Sequence, residues 1–229
     1  MKQFLVVGGT SGIGLAVTLE LINQGHGVHV WARTPTQIQG AAVCENDATA
    51  SLDVSSLPEL LDGVVYCPGS INLKPFHRLS AEDFAHDWQV NLMGAVNCLQ
   101  AVLPHLKKAE RASVVLFSTV AVGVGMPFHA SIASAKGAVE GLTRSLAAEW
   151  APKIRVNAIA PSLTQTPLAQ KLLATEEKVE AAAKRHPLQQ IGSPEDLAAM
   201  VSFLLGDESK WMTGQILHID GGLSSVKTS

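Results

Sequence analysis

The sequence predicts an α/β fold of the Rossmann type, with a doubly wound parallel β-sheet of about seven strands and helices on both faces. Three observations support this prediction. Apolar runs alternate with helical patterns along all 229 residues. The runs are uniformly apolar, as in strands that are buried on both faces. A glycine-rich turn follows the first run. Because no repeat, low-complexity segment or linker interrupts the pattern, we expect one domain over residues 1–229.

The first element is an apolar run at residues 4–7, followed by four glycines within seven residues and a helical pattern over 13–23. A strand that turns into a helix through glycines directs backbone N–H groups at one point, where a phosphate can bind. Glycines leave room for the anion to approach the backbone. A tight turn without a ligand is the alternative interpretation.

The remaining elements alternate along the chain. Further strands are predicted at 27–32, 63–67, 114–118, 155–159 and 216–219, with a weaker candidate near 48–52. Helices are predicted at 81–107, 131–150, 168–184 and 194–205. Residues 33–53 hold little helical periodicity, so any helix covering the sheet there is expected to be short or absent.

Composition excludes several functional classes. The chain has 47% apolar and 16% charged residues, which is typical of a folded protein with a large core. A net charge of -3 without a block of Lys or Arg argues against nucleic acid or a membrane surface as partner. Cys44, Cys67 and Cys98 lack metal or redox spacing, and the histidines lack metal-ligand spacing. We therefore expect reduced thiols, a cytoplasmic location and no metal site.

A series of short motifs follows in order over nearly the whole chain. They are VGGTSGIG at 7–14, LDV at 52–54, VNLMG at 90–94, ST at 118–119, Lys136, NAIAPSLTQT at 157–166, TGQ at 213–215 and IDGG at 219–222. With these motifs the chain resembles the short-chain dehydrogenase/reductase family. The resemblance implies an NAD(P)-dependent oxidoreductase acting on a small-molecule substrate.

The resemblance also implies which residues form the site. Asn91, Thr119 and Lys136 are the implied active-site residues. Lys136 is expected to donate a hydrogen bond to the nicotinamide ribose. Asp53, a cofactor-binding residue, is expected to contact the adenine. The expected cofactor-binding residues are Gly8, Thr10, Ser11, Gly12, Ile13, Gly14, Arg33, Asp53, Val54, Pro68, Gly69, Lys136, Pro161, Thr164 and Thr166.

The end of the second strand indicates which dinucleotide binds. NAD-binding proteins tend to carry an acid there, which bonds the adenine ribose. Here Ala32 fills that position and Arg33 follows it. A guanidinium can clamp a 2′-phosphate, so NADP(H) is favoured over NAD(H). A solvated turn residue is the alternative interpretation of Arg33.

Two motifs depart from the family pattern. The N-N-A-G motif after the fourth strand appears as YCPG at 66–69. The tyrosine of Y-x-x-x-K, the acid of the family, is replaced by Ile132, and the single tyrosine of the chain, Tyr66, lies on another strand. An alkoxide formed by hydride transfer needs a proton or a strong hydrogen-bond donor, which isoleucine cannot supply.

Several residues are candidate replacements. His129 precedes Lys136 by seven residues, a spacing similar to the Y-x6-K of bacterial enoyl-acyl-carrier-protein reductases; a polar loop residue is the alternative interpretation. Thr119 and Ser118 can donate hydrogen bonds but are weak acids. Ser134 does not share the face of Lys136, and Ser131 is interpreted as the N-cap of its helix.

Two functional hypotheses follow. The first is an NADP(H)-preferring oxidoreductase that reduces a small carbonyl or an activated double bond, with His129 or an ordered water as proton donor. The second is a cofactor-binding protein without turnover. The apolar character of helices 81–107 and 131–150 on more than one side predicts a homodimer or homotetramer, and residues 163–190 are expected to form a small substrate lid.

Overall fold

Seven parallel strands form one sheet in the computed structural model, which describes residues 1–227. The strand order is β3-β2-β1-β4-β5-β6-β7. This order reverses direction between β1 and β4, which creates the crevice where doubly wound sheets bind ligands. The predicted fold class is confirmed. The strands are β1 (Gln3–Val7), β2 (Gly27–Ala32), β3 (Ala41–Glu45), β4 (Gly63–Tyr66), β5 (Ala112–Phe117), β6 (Ile154–Pro161) and β7 (Ile216–Ile219).

Helices cover both faces of this sheet. The α-helices are α1 (Gly12–Asn23), α2 (Ala81–Trp88), α3 (Gly94–Leu106), α4 (Ala130–Trp150), α5 (Glu176–Ala183) and α6 (Pro194–Leu205). A π-helical segment, Gln89–Met93, joins α2 to α3, so the helix predicted over 81–107 is continuous but changes its winding. Short 3₁₀ helices span Phe76–Arg78, Val120–Val122, Pro167–Leu173 and Asp207–Ser209.

The helix predicted over 168–184 is divided in two. A 3₁₀ helix ends at Leu173, and α5 begins at Glu176. Thr175 separates them because its hydroxyl accepts a hydrogen bond from the Lys178 N–H at 3.3 Å, which makes it the N-cap of a new helix.

Alternation along the strands builds a separate core on each face. In β1, Leu5 and Val7 belong to the core under α3 and α4, whereas Phe4 and Val6 belong to the core under α1 and α6. Successive side chains of a strand point to opposite faces. Strands with both faces covered therefore need apolar residues throughout, which explains why their runs are visible in the sequence.

The third strand lies at Ala41–Glu45, so the prediction near 48–52 was wrong. Its register is set by parallel pairing with β2, from Val28 opposite Ala41 to Ala32 opposite Glu45. As the edge strand it is only partly buried. A half-buried edge does not require large apolar side chains, and all residues at 41–45 except Val43 are small or charged, which gives a weak strand signal.

No helix lies among residues 33–62, all of which the structure describes. The predicted lack of a helix over 33–53 is therefore confirmed. Irregular chain covers β2 and β1 on the α3 face instead. Apolar side chains of this segment, together with the indole of Trp31, fill the space beside the core; they are Leu52, Val54, Leu57, Leu60 and Leu61.

Candidate active site

The turn between β1 and α1 has the geometry of a phosphate-binding loop. Gly12 has a φ of +52°, in the region that favours glycine. A Cβ on Gly14 would collide with the carbonyl oxygen of Gly8, so the loop can be this tight only with glycine there. Ser11 is the N-cap of α1 but makes no side-chain capping bond. The first N–H groups of α1 therefore remain available to an anion.

A cavity of about 560 Å³ opens at the carboxyl ends of β1, β2 and β4. This volume lies within the usual range for small-molecule and cofactor sites. Many of the predicted cofactor-binding residues line it. They are Gly8, Thr10, Ser11, Gly12, Ile13, Gly14, Arg33, Pro68, Gly69 and Thr166.

Asp53 and Val54 do not line this cavity, and their assignment must be corrected. The third strand ends at Glu45, so the residues that follow it are Asn46 and Asp47, and these line the cavity. Asp53 is exposed, and a hydrogen bond from the Ser55 N–H lowers the pKa of its carboxyl. The Asn46 side chain makes two hydrogen bonds with the backbone of Asp53. Its Oδ1 accepts from the Asp53 N–H at 2.9 Å, and its Nδ2 donates to the Asp53 carbonyl at 3.0 Å.

Lys136, Pro161 and Thr164 also lie outside the cavity lining. Pro161 ends β6, and Thr164 is buried where the chain pairs with Gly192. Sequence reasoning missed several lining residues, most of which follow the carboxyl ends of strands or lie near them. These are Trp31, Ala32, Thr34, Thr36, Asn46, Asp47, Ala48, Thr49, Tyr66, Cys67, Val90, Pro167 and Leu168.

Trp31, one of the lining residues, carries a polar atom that is unpaired within residues 1–227. Its side chain is buried, and its indole N–H has no hydrogen-bond partner among the described residues. Buried donors are nearly always paired. The cavity volume and the glycine cradle fit a bound dinucleotide.

Tyr66 is not a proton donor for this site. Its hydroxyl donates a hydrogen bond to the Val90 carbonyl at 2.7 Å, and burial raises its pKa well above the ordinary value. The neighbouring thiol of Cys67 is equally inert as an acid, since burial raises its pKa to about 12. The departures at 66–69 thus form a wall of the cavity without acid chemistry.

Lys136 is a buried cation on α4. Its Nζ donates a hydrogen bond to the Phe117 carbonyl at 2.8 Å, and only 8% of the residue is exposed. Burial lowers the pKa of Lys136 to about 8, although interactions with Cys67 and Asp87 act in the opposite direction. A lysine with such a pKa is in the range that general acid–base and electrostatic catalysis use.

Asn91 lies in the π-helical segment, close to Lys136. Its Nδ2 donates to the Asp87 carbonyl and to Ser70 Oγ, each at 2.8 Å. Its Oδ1 has no hydrogen-bond partner within residues 1–227. A Cβ on Gly69 would lie 3.3 Å from Asn91 Oδ1 and 3.7 Å from Lys136 Nζ. The glycine therefore keeps both polar atoms close to the cavity that it lines.

Both hydroxyl groups that follow β5 take part in hydrogen bonds within the protein. Ser118 is buried and donates to Glu140 Oε1 at 2.8 Å. Thr119 is the N-cap of the 3₁₀ helix that follows, and its Oγ1 accepts from the Ala121 N–H at 3.3 Å. A hydroxyl that accepts one hydrogen bond still has its own proton to donate, so Thr119 remains able to bind a substrate oxygen.

His129 occupies the N-cap position of α4 but makes no side-chain capping bond. Its Nδ1 lies 2.8 Å from the Pro127 carbonyl, which can only accept, so Nδ1 carries a proton and Nε2 is left for another partner. Ser131 is not the N-cap predicted from the sequence. It is buried within α4 and donates to Asp87 Oδ2 at 2.5 Å.

A doubly wound sheet with a glycine cradle and a cavity at its switch point defines a dinucleotide-binding α/β protein. The family model described as "Enoyl-(Acyl carrier protein) reductase" matches residues 7–224. The chain belongs to the short-chain dehydrogenase/reductase family and is an NAD(P)-dependent oxidoreductase, as the motif resemblance implied.

Relatives and solved structures agree with this assignment. A tropinone reductase homolog of Arabidopsis thaliana is 38% identical, over 96% of this chain and 92% of its own length. The 3-oxoacyl-[acyl-carrier-protein] reductase FabG of Thermotoga maritima is 33% identical, over 97% of each chain. The aldohexose dehydrogenase of Thermoplasma acidophilum, in ligand-free form, superposes with a TM-score of 0.91 at 26% identity, over 100% of this chain and 97% of that one.

A structure of ElxO with NADP bound has a TM-score of 0.88 at 28% identity, covering 99% of this chain and all of that one. Over the described part of the chain, no helix has the length and hydropathy that a membrane crossing requires.

Proposed function

We propose that this protein transfers hydride between NADP(H) and a small carbonyl compound or activated alkene. The observation that carries this proposal is the convergence of Lys136 Nζ and Asn91 Oδ1 on Gly69, a residue that lines the dinucleotide-sized cavity. The nicotinamide supplies or accepts the hydride. Lys136 would bind the nicotinamide ribose, and its positive charge would oppose the negative charge that develops on the substrate oxygen.

The preference for NADP(H) rests on the adenosine end of the cavity. Arg33 lines that end together with the hydroxyls of Thr34 and Thr36, while Ala32 leaves the end of β2 without a carboxylate. A guanidinium with neighbouring hydroxyls suits a 2′-phosphate. The NADP seen in the ElxO structure is a precedent from a similar fold.

We propose His129 as the proton donor, directly or through an ordered water. With Nδ1 held by the Pro127 carbonyl, Nε2 of the imidazolium would donate a proton and that of the neutral ring would accept one. The other candidates are less suitable because Ile132 is a hydrocarbon, Tyr66 is held by Val90, and Ser118 is held by Glu140.

The test is a screen of NADPH consumption with small ketones, enones and quinones. We expect turnover with the unmodified protein and a fall of about 100-fold or more in His129→Ala. An active enzyme that is unaffected by His129→Ala would exclude His129 as donor. If no substrate reacts until Ile132→Tyr is introduced, the proposal of a replacement donor is wrong.

We also propose a homodimer or homotetramer formed through residues 81–107 and 131–150. Trp88, at the end of α2, keeps 44% of its surface exposed, and large exposed aromatic side chains are typical of interfaces. Light scattering after gel filtration should give two or four times the chain mass of 24.1 kDa. A monomer at micromolar concentration would contradict the proposal.

Residues 163–190 are proposed to act as the substrate lid. Three of them, Thr166, Pro167 and Leu168, line the cavity beside the glycine turn. NADPH should therefore slow amide hydrogen exchange in this segment, and unchanged exchange at saturating NADPH would argue against a lid.

The cytoplasmic location expected from the cysteines stays a prediction.

A further inference from the structure

One buried carboxylate has no role in the function proposed above. Asp87 lies on α2 and is fully buried. Its two oxygens accept hydrogen bonds from Ser70 Oγ and Ser131 Oγ, each at 2.5 Å. These two serines come from different parts of the chain, the loop after β4 and the first turn of α4. Asp87 therefore joins α2 to the loop after β4 and to α4.

This carboxylate also determines how the Asn91 amide is oriented. Ser70 Oγ donates to Asp87 and accepts from Asn91 Nδ2, and the same Nδ2 reaches the Asp87 carbonyl one turn earlier. With Nδ2 fixed by two acceptors, Oδ1 has to face the opposite way, toward Gly69 and Lys136. A continuous chain of polar contacts thus leads from Asp87 to the vicinity of the ammonium.

Asp87 and Lys136 also interact electrostatically. Among the described residues the only buried Asp, Glu, Lys or Arg side chains are Asp87, Lys136 and Asp220, and Asp220 is bonded within its own turn by Ser224. The titratable groups that face Lys136 are Cys67 and Asp87. Because burial raises the pKa of Cys67 to about 12, its thiol is neutral where Lys136 titrates. Asp87 is then the one anion that supports the ammonium.

We propose that Asp87 is a positioning residue, which holds Asn91 through Ser70 and keeps Lys136 charged beside Gly69. It would thereby preserve an electrostatic stabiliser of the substrate oxygen in a site whose tyrosine position is occupied by Ile132. This inference rests on the proposed function for its catalytic consequence. Its physical content, the coupling of Asp87 to Lys136, does not depend on turnover.

The decisive measurement is the titration midpoint of Lys136, followed by NMR in protein containing isotope-labelled lysine and assigned with Lys136→Met. We expect Asp87→Asn to lower this midpoint by about one pH unit or more, because removal of a nearby anion favours the neutral amine. Glu149→Gln, which removes an exposed carboxylate from the same helix α4, is the matched control and should leave the midpoint unchanged.

Two further readouts keep the inference testable. If Asp87→Asn does not fold, the triple variant Ser70→Ala, Asp87→Leu, Ser131→Ala replaces the whole cluster by apolar groups and should lower the midpoint equally. In the active enzyme, the basic limb of the pH profile of kcat should move to lower pH by the same amount in Asp87→Asn.

The possible failures are distinguishable. An unchanged Lys136 midpoint in a folded variant overturns the role of Asp87, whether or not any substrate is turned over. A lowered midpoint with an unshifted kcat profile also overturns it as a positioning residue for this reaction. Absence of turnover together with a lowered midpoint contradicts the proposed function and leaves the coupling of Asp87 to Lys136 supported.

Discussion

Ile132 and Lys136 lie one helical turn apart on the buried face of α4, with only 6% and 8% of their surfaces exposed. A hydrocarbon therefore stands beside the ammonium at the position where the family pattern has a hydroxyl. Water is largely excluded from both, and this exclusion lowers the pKa of Lys136 to about 8.

In the His129→Ala background, replacing Ile132 by tyrosine should raise kcat for carbonyl reduction by about 100-fold or more, since it supplies a general acid beside the ammonium. Ile132→Phe adds a similar ring without the hydroxyl and is the matched control, which also accounts for any strain from overfilling the site. Steady-state kinetics with NADPH measure the effect. Equal rates in the two variants would show that the added hydroxyl does not act as an acid here.

Gly14→Ala should abolish dinucleotide binding, because the added methyl group collides with the Gly8 carbonyl in the phosphate cradle. Gly141→Ala on α4 is the control: its Cβ would meet nothing within 4 Å, and we expect a gain of about 0.5–1 kcal/mol in unfolding free energy with unchanged binding. Quenching of tryptophan fluorescence by NADPH and urea titrations give the two quantities. Tight NADPH binding by Gly14→Ala would contradict the assignment of the cradle.

Arg33→Ala should weaken NADPH binding by about 10- to 100-fold and leave NADH binding nearly unchanged, because only NADPH carries the 2′-phosphate. Arg111→Ala removes an exposed arginine just before the amino-terminal end of β5, whereas the cavity opens at carboxyl ends of strands, and it serves as the control. Isothermal titration with both dinucleotides separates the two effects. An equal loss of NADH affinity would mean that Arg33 stabilises the pocket and does not bind the 2′-phosphate.

The depressed pKa of Lys136 also predicts how stability depends on pH. In the unfolded chain this lysine titrates near 10.5, and in the folded protein at about 8. Between these values the unfolded state binds more protons, so the unfolding free energy should rise with pH by about 3 kcal/mol relative to Lys136→Met. Below pH 8 the lysine is charged in both states, and this gain is absent.

The comparison needs denaturant unfolding of both proteins from pH 7 to pH 11. Taking the difference between them removes the contributions of Cys67 and Tyr66, whose raised pKa values act in the opposite direction. Parallel stability curves for the two proteins would show that Lys136 is not desolvated in the folded state.

The sequence was most informative where burial forces a pattern. β2, β7 and α6 have the predicted bounds because each must bury apolar residues continuously or at helical spacing. The edge strand β3 escaped prediction because half-buried positions tolerate small and polar residues. That error placed the expected adenine contact at Asp53, whereas the residues that follow β3 and line the cavity are Asn46 and Asp47.

Within the site, the motifs predicted Asn91 and Lys136, and the fold brings both to Gly69. Nothing in the sequence distinguished Asp87, because an aspartate beside His86 on a polar helix looks like a solvated residue. Its burial, and that of Ser131, arises only when α2 packs against α4. Such tertiary polar contacts have no local signature.

The irregular cover over residues 46–62 has a mechanical consequence for the enzyme. Residues 46–62 border the proposed adenosine end of the cavity, have no helical hydrogen bonds and follow an edge strand. The local opening free energy of this segment should therefore be among the lowest in the molecule. Binding of the dinucleotide should therefore also order residues 46–62, because the bound cofactor adds contacts to this irregular segment. The loaded enzyme should be the more rigid and protease-resistant form, and part of the affinity for the adenosine moiety is spent on ordering this cover.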